Sequence, residues 1–325
     1  MKLLAARADS WLAAFAARNA AGAHLPPTAQ ALNTTQLATP AGQVRVYDSA
    51  TPGACLLFVP DGPNVIEHYA ALMAQLAKQF RVVCVDMPGF GRSLPAPHYT
   101  HSLDEGASAI LSVLDALGLD KVTLAFSCAN GFYAMRVAKR APHRVAGLVL
   151  TQTPSLAAMH AWTARTVPWP LGVPVVGQVT GWLLRRKAAL RWYRAALPKG
   201  VDAQTLHHLR ATAHAALDHG GCFCLAGVVQ GLLREDPSLI DGVNTPCLMI
   251  WGTLDRSHSA TDPASLRSHL PQAQIVRFDD CGHFPDVEQS ARYAQVLMQW
   301  LEPPSGGAAC PDNYAQPLLV PNLRD

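Results

Sequence analysis

Three side chains in this sequence have the chemistry of covalent catalysis, and each falls where a predicted strand gives way to a turn. In the segment Leu117 to Leu150, LGLDKVTLAFSCANGFYAMRVAKRAPHRVAGLVL, Cys128 follows a short apolar run, Lys121 to Phe126, and precedes small and apolar residues at helical spacing, Ala129 to Arg140. A turn must therefore fall at about Ser127 to Asn130. Further along, GTLDRSH places Asp255 just past the carboxyl end of the run Pro246 to Trp251, and DDCGHFPDVEQ places His283 after the run Gln274 to Phe278, in a turn before the last helix. A thiol, a carboxylate and an imidazole are the parts of a nucleophile, its base and the group that orients the base. Singly, an Asp or a His is most often a surface residue and a Cys a buried structural one. Three in order at strand ends point to a site, because open α/β sheets assemble their sites there.

The elements that must position these groups alternate along the chain. Cys55 to Val59 is an apolar strand ending in PDGPNVIEHY; a helix and a strand follow over Tyr69 to Asp86, and then the loop DMPGFGRS, Asp86 to Ser93. Between a strand ending near Thr151 and the strand starting near Pro246, proline and glycine breaks separate a series of helices. A chain of 325 residues, 50% of them apolar, can bury a large core.

These features together resemble the capped branch of the α/β-hydrolase superfamily over about residues 36 to 302. The resemblance implies an α/β fold with a mostly parallel eight-stranded sheet flanked by helices, a core over 36–154 and 245–302, and an inserted helical cap over 155–244. Matched without gaps, the strand, nucleophile elbow and helix put the nucleophile on Cys128, with Asp255 and His283 as its partners in the order of that superfamily. Ser127 competes for the role. It is flanked at two residues' distance by Ala125 and Ala129, as the Gly-x-Ser-x-Gly rule asks, but choosing it requires a deletion before the turn and an insertion after it. With Cys128, the flanking places hold Phe126 and Asn130, a departure from the small residues of the pattern. Where relatives end the earlier strand in His-Gly-x-Pro, this chain has Pro60, Asp61, Gly62 and Pro63. Gly62 keeps a backbone NH free for an oxyanion hole, and Ala129 supplies the second; each such donor is worth roughly 3 to 4 kcal/mol in a transition state. The Asp86–Ser93 loop matches a structural landmark whose glycines permit tight turns.

The cap segment holds Trp162, Trp169, Trp182, Trp192, Tyr193 and Phe223, aromatic surface that could line an apolar pocket or pack the cap onto the core. Trp162, Trp169 and Trp182, with Ser127, are candidate substrate-binding residues. From Ser155 to Val201 the chain carries Arg165, Arg185, Arg186, Lys187, Arg191, Arg194 and Lys199 and no Asp or Glu. This run reads either as a solvated face or as an attractor for a carboxylated substrate, coenzyme A phosphates or an acidic carrier protein. The net charge of +3 and the lack of a basic groove interleaved with aromatics give no sign of nucleic-acid binding. Eight cysteines without paired spacing fit a reducing, cytoplasmic compartment better than a disulfide framework. Cys222 and Cys224, near His207, His208, His214 and His219, match no closed zinc pattern, so neither metal nor cofactor is expected. Arg7 and Asp9 interrupt the apolar N-terminus, which reads as an amphipathic helix within an extension over 1–35 rather than a cleaved signal. No apolar run approaches the roughly 20 residues of a membrane span, and 303–325 reads as an irregular tail.

The expected chemistry is acyl transfer: His283 takes the proton of Cys128, Asp255 steadies the imidazolium, and the thiolate attacks a carbonyl held at Gly62 and Ala129. The acyl-thioester can pass to water, making a hydrolase of esters, thioesters or lactones with an apolar acyl part. It can also pass to a second or internal nucleophile, making an acyltransferase or cyclase. A catalytically silent ligand-binding protein is the reading from another class, supported by Phe126, Asn130 and the missing His-Gly.

Overall fold

The computed structural model describes residues 1–20 and 32–301. Its centre is a sheet whose principal strands are β1 (Thr34–Thr39), β2 (Gly42–Asp48), β3 (Cys55–Val59), β4 (Arg81–Val85), β5 (Val122–Ser127), β6 (Val145–Thr151), β7 (Cys247–Gly252) and β8 (Gln274–Phe278). They lie side by side in the order β1-β2-β4-β3-β5-β6-β7-β8, and the two-residue strand Leu94–Pro95 adds to β2. The β1–β2 and β2–β4 pairings are antiparallel, and from β4 to β8 every pairing is parallel. The expected mostly parallel α/β sheet is the observed one.

Strand alternation divides the core in two. Leu57, Val59, Leu124, Phe126, Leu148 and Leu150 pack on one face, and Leu56, Phe58, Ala125, Val149, Leu248 and Ile250 on the other. Both faces are covered, which is why the central strands read as continuous apolar runs rather than alternating ones. On the first face lie Leu103–Ala116, whose N-cap Ser102 and Glu105 form a capping box, and Asn130–Arg140. Ala70–Leu76 and Ser290–Leu301 cover the second.

Between β6 and β7 the chain forms helices Leu156–Thr166, Val176–Ala196, Ala203–Asp218 and Leu225–Gln230. The N-terminal segment is helical over Lys2–Asn19, but its faces are inverted relative to a simple amphipathic helix: Ala5, Ala6, Asp9 and Ala13 are buried, while Leu4, Trp11 and Phe15 are exposed. Small residues allow the close approach this helix makes to the rest of the molecule, where a Cβ at Gly220 would lie 2.8 Å from the Ala17 backbone. The later part of the expected N-terminal extension and the expected irregular tail fall outside the described residues.

Candidate active site

The carboxyl ends of β3, β5, β6, β7 and β8 converge on one cluster of side chains. At the end of β5, Cys128 has φ +52°, a left-handed conformation that a non-glycine residue holds only when its surroundings enforce it. The enforcement is visible. The Cys128 NH donates to Thr151 O at 2.7 Å, and its carbonyl accepts from Thr153 Oγ1 at 2.9 Å and from the Gly131 NH at 3.1 Å. Gly131 must be glycine here, because a Cβ would sit 2.4 Å from Thr153 Oγ1. Phe126 does not crowd the turn; its ring is fully buried in the first-face core. Asn130 bridges two strands, its Nδ2 donating to Pro60 O at 2.8 Å.

Ser127 is committed elsewhere. Its hydroxyl donates to Asp286 Oδ2 at 2.5 Å, Tyr69 donates to the same oxygen at 2.6 Å, and Ser127 is buried. The serine is thus part of a closed network beneath the turn, while Cys128 occupies the turn itself.

Asp255 and His283 are brought together. His283 Nδ1 lies 2.6 Å from Asp255 Oδ2, and both residues are almost fully buried. Asp255 Oδ2 also accepts from Gln152 Nε2 at 2.8 Å, and its Oδ1 accepts from the Ser257 NH at 2.8 Å and the Ser257 hydroxyl at 2.6 Å. Burial works against the Asp255 charge, yet the facing His283 and these donors hold its carboxyl down at about 2. Burial likewise opposes a charged His283 ring, but Asp255 above all, then Cys128 and Asp61, hold it well above the usual imidazole range. Burial, and after it the neighbouring Asp61 charge, push the Cys128 thiol up to about 11, against a smaller opposing pull from His283.

The other face of His283 meets Asp61, whose Oδ2 lies 3.3 Å from Nε2. One ligating atom each from Asp61, Cys128 and His283 falls within 4.8 Å of the others, as does a second such trio of Asp255, His258 and His283. These donor sets would suit a cation by distance, but each already contains an acid–base pair at hydrogen-bonding range or close to it. Away from the site, Cys224 groups with Asp9 and His101, and none of His207, His208, His214 or His219 joins such a cluster among the described residues.

Gly62 follows the end of β3 and Ala129 the end of β5, on adjacent parallel strands. Neither backbone NH donates to a backbone carbonyl among the described residues. At Gly62 a Cβ would come within 2.9 Å of the Phe90 ring and 3.2 Å of Phe223, so a side chain there would collide with the aromatic wall.

Of the candidate aromatic residues, Trp162 reaches the site. Its ring stacks on His258 with centroids 4.9 Å apart, His258 lies 5.3 Å from His283, and the Trp162 indole NH donates to Ser257 O. Trp192 stands edge-on to His283 with centroids 5.0 Å apart. Trp182 instead packs against the N-terminal helix at Phe15, and Trp169 is 79% exposed. Among the basic residues, Arg186 pairs with Asp218 and Arg185 lies over the Trp182 ring. Gln152, His258 and Asp61 complete the surroundings without having been singled out by sequence. Gln152 had a usable signal, since it directly follows β6 at the same sheet edge. Asp61 was visible only as the loss of a His-Gly pair.

The Asp86–Ser93 loop is a brace. Ser93 Oγ donates to Asp86 O at 2.6 Å, Asp86 Oδ2 accepts from the Arg92 NH, and a Cβ at Gly91, φ +51°, would strike the Asp86 carboxylate. Arg45 pairs with Glu67 at 2.6 Å, fixing the segment that follows Gly62.

Known proteins share this arrangement of chain. Residues 56–296 match the alpha/beta hydrolase family. The chain is 30% identical over 229 residues to the pimeloyl-[acyl-carrier protein] methyl ester esterase of Aromatoleum aromaticum, covering 69% of this chain and 87% of the esterase. It is 24% identical over 269 residues to the 2-hydroxymuconate semialdehyde hydrolase of Pseudomonas sp. strain CF600, covering 80% and 90%. An epoxide hydrolase from an endophytic Streptomyces superposes with a TM-score of 0.67 at 18% identity, covering 83% of this chain and 95% of that one. With the strand order, the turn after β5 and the matched span in agreement, the chain belongs to the alpha/beta hydrolase family and is an enzyme of that kind.

Proposed function

We propose that this enzyme hydrolyses a carboxylic ester or thioester through a Cys128 acyl-enzyme. His283 is the base, Asp255 orients it, and the Gly62 and Ala129 NH groups receive the oxyanion. The observation that carries the reading is the left-handed Cys128 at the end of β5 beside a His283–Asp255 pair at 2.6 Å. In the acylation step the thiol proton passes to His283 Nε2, a sulfur electron pair bonds the carbonyl carbon, and the carbonyl π pair moves onto oxygen. Collapse expels the alcohol or thiol with that proton. Water then repeats the sequence, releasing the acid and restoring the thiol.

The helices over 155–244 act as a cap, with Trp162 and Trp192 facing the acyl part. The core comprises 36–154 and 245–302. The substrate is a small acyl compound, free or bound to coenzyme A or a carrier protein. The relative that acts on a carrier-protein-linked methyl ester supports the carrier option, and the exposed Arg165, Lys187, Arg191 and Arg194 supply positive charge for it. A reducing, cytoplasmic setting suits a thiol nucleophile, and the seven described cysteines are all free. No described helix is long and apolar enough to cross a membrane.

The test is intact-protein mass spectrometry with peptide mapping after brief exposure to activated esters and thioesters. An adduct on Cys128 that decays with product release, and is lost in Cys128→Ala, is expected. An adduct on Ser127, or turnover undiminished in Cys128→Ala, would overturn the reading.

A further inference from the structure

Asp61 has no part in the chemistry above, yet it lies closer to the working nitrogen of His283 than any other acidic group among the described residues. Asp61 Oδ2 and His283 Nε2 are 3.3 Å apart and both atoms are buried without a well-directed hydrogen bond, while the Cys128 thiol stands beside both groups and the Trp192 indole beside Asp61. Two buried polar atoms in that relation are best satisfied by sharing a proton, since leaving both unmatched costs each its hydration without return, and a thiol is a weak alternative donor. One of the two therefore carries hydrogen, on Nε2 facing a carboxylate or on the carboxyl group facing a bare nitrogen.

We infer that in the free enzyme the Asp61 carboxylate holds His283 protonated at Nε2 and so keeps Cys128 a thiol until a substrate carbonyl docks beside Gly62. The inference rests on the reading of Cys128 as nucleophile and adds to it a resting state and a trigger. A doubly protonated His283 sits between two carboxylates, Asp255 on Nδ1 and Asp61 on Nε2, and in that form it cannot accept the thiol proton. An ionised Asp61 near the sulfur also disfavours a second negative charge there. Docking reverses the preference. A carbonyl oxygen brought to the Gly62 NH puts the negative end of its dipole, and on attack a full negative charge, next to residue 61, where a neutral carboxylic acid is favoured over a carboxylate. The proton moves from Nε2 to Asp61 Oδ2, leaving a neutral imidazole and a neutral acid. Nε2 then takes the proton of Cys128, the sulfur lone pair bonds the carbonyl carbon, and the π pair goes to oxygen. No proton is gained or lost in the transfer, so the trigger is substrate rather than bulk pH.

Other ionisable groups face this cluster from every side. Asp255 and His258 lie on the loop after β7, Asp286 and Glu288 on the short helix Pro285–Glu288 after His283, and Tyr193 on the helix Val176–Ala196. Of the acids, Asp255 is already hydrogen-bonded to Nδ1, Asp286 to Ser127 and Tyr69, and Glu288 to the NH groups of Gly282 and Phe284. Only Asp61 is placed at Nε2.

The thiolate of Cys128 can be titrated by its ultraviolet absorbance, as the difference between each protein and the same protein carrying Cys128→Ala, so no reagent has to enter the site. Asp61→Asn keeps the shape and removes the charge. Its thiolate midpoint is expected to fall by about one pH unit or more relative to wild type, and an unchanged midpoint would overturn the inference. Should Asp61→Asn fail to fold, the nitrogen-15 shifts of His283 in the wild-type free enzyme decide instead: Nε2 protonated at neutral pH supports the inference, and a bare Nε2 refutes it. Ester turnover that survives Cys128→Ala would instead refute the nucleophile, a result separate from the thiol titration.

Discussion

Two neighbouring side chains that can both act as nucleophiles, Ser127 and Cys128, differ in what surrounds them. Ser127 supplies one of the two hydroxyl donors to Oδ2 of the buried Asp286, so Ser127→Ala should cost about 1 to 3 kcal/mol of stability, measured by urea unfolding, while ester turnover stays close to wild type. A large loss of turnover at unchanged stability would reverse the roles assigned to the pair. Asp255 ties the site to pH. Its folded carboxyl titrates at about 2, below the ordinary value of 3.8. The folded state therefore binds this proton more weakly than the unfolded chain, and the stabilisation is complete above about pH 4 and lost as pH falls towards 2. Wild-type unfolding free energy should drop by roughly 2 kcal/mol across that window through this group, and Asp255→Asn should flatten that part of the profile. At this scale the sequence was legible for groups announced by a strand end and a turn, as Asp255 and His283 were. It was illegible for Asp61 and His258, whose places depend on how loops from distant strands fold against each other.

Elements set the geometry that single residues cannot. The bond from Asn130 to the Pro60 carbonyl joins the first turn of the helix after β5 to the loop after β3, the two segments that carry Ala129 and Gly62. A pattern expecting glycine at position 130 reads asparagine as an obstacle; in the folded chain it is a clamp between the loops that follow β3 and β5. Asn130→Ala should lower kcat about tenfold to a hundredfold by loosening that spacing, with only about 1 kcal/mol lost in stability. Steady-state kinetics beside a thermal melt would separate this from unfolding, and unchanged kcat would remove the clamp from the mechanism. The buried strands were legible because both sheet faces are covered and their apolar runs are unbroken. Their ends differ by a residue, as in Val122–Ser127 against the expected Lys121 to Phe126, since hydrogen bonding to neighbours, not hydropathy, decides where a strand stops. Trp182 and Trp169 were beyond sequence for another reason: a helix periodicity says which side chains share a face, not what that face will meet.

At the scale of the whole molecule, the N-terminal helix is fastened to the segment between β6 and β7 through a buried acid. Asp9 accepts from Gln178 Nε2 at 3.2 Å, and Gln178 in turn donates to Gln230 Oε1 at 3.0 Å. Burial dominates its surroundings and raises the Asp9 carboxyl to about 7. Here the folded state binds the proton more tightly than the unfolded one, so the contribution is complete below about pH 4 and fades as pH rises through 7. Asp9→Asn should be more stable than wild type at pH 8, on the order of 4 kcal/mol, and the advantage should vanish below pH 4. Equal stability of the two proteins across the range would mean that this helix is docked by its alanines alone. The sequence disclosed the helix but not its orientation, because its large apolar residues, Trp11 and Phe15, face outward and its small ones face the fold.

Cys128 is 5% exposed and His283 1% exposed, with Trp192 edge-on to the imidazole. With so little exposure, entry rather than bond making is the slow step expected of the proposed mechanism. Under the proposed Cys128 mechanism, a substrate would reach the thiol by parting of the overlying helices, and turnover would be timed by that parting. Esters with leaving groups of very different quality should then converge on a common ceiling rate, and thickening the solvent with sucrose should lower the ceiling for all of them alike. Under the same proposed mechanism, enclosure would decide who collects the acyl group: an acceptor would compete by how often it is inside when the helices close, which favours the small and the abundant over the merely reactive.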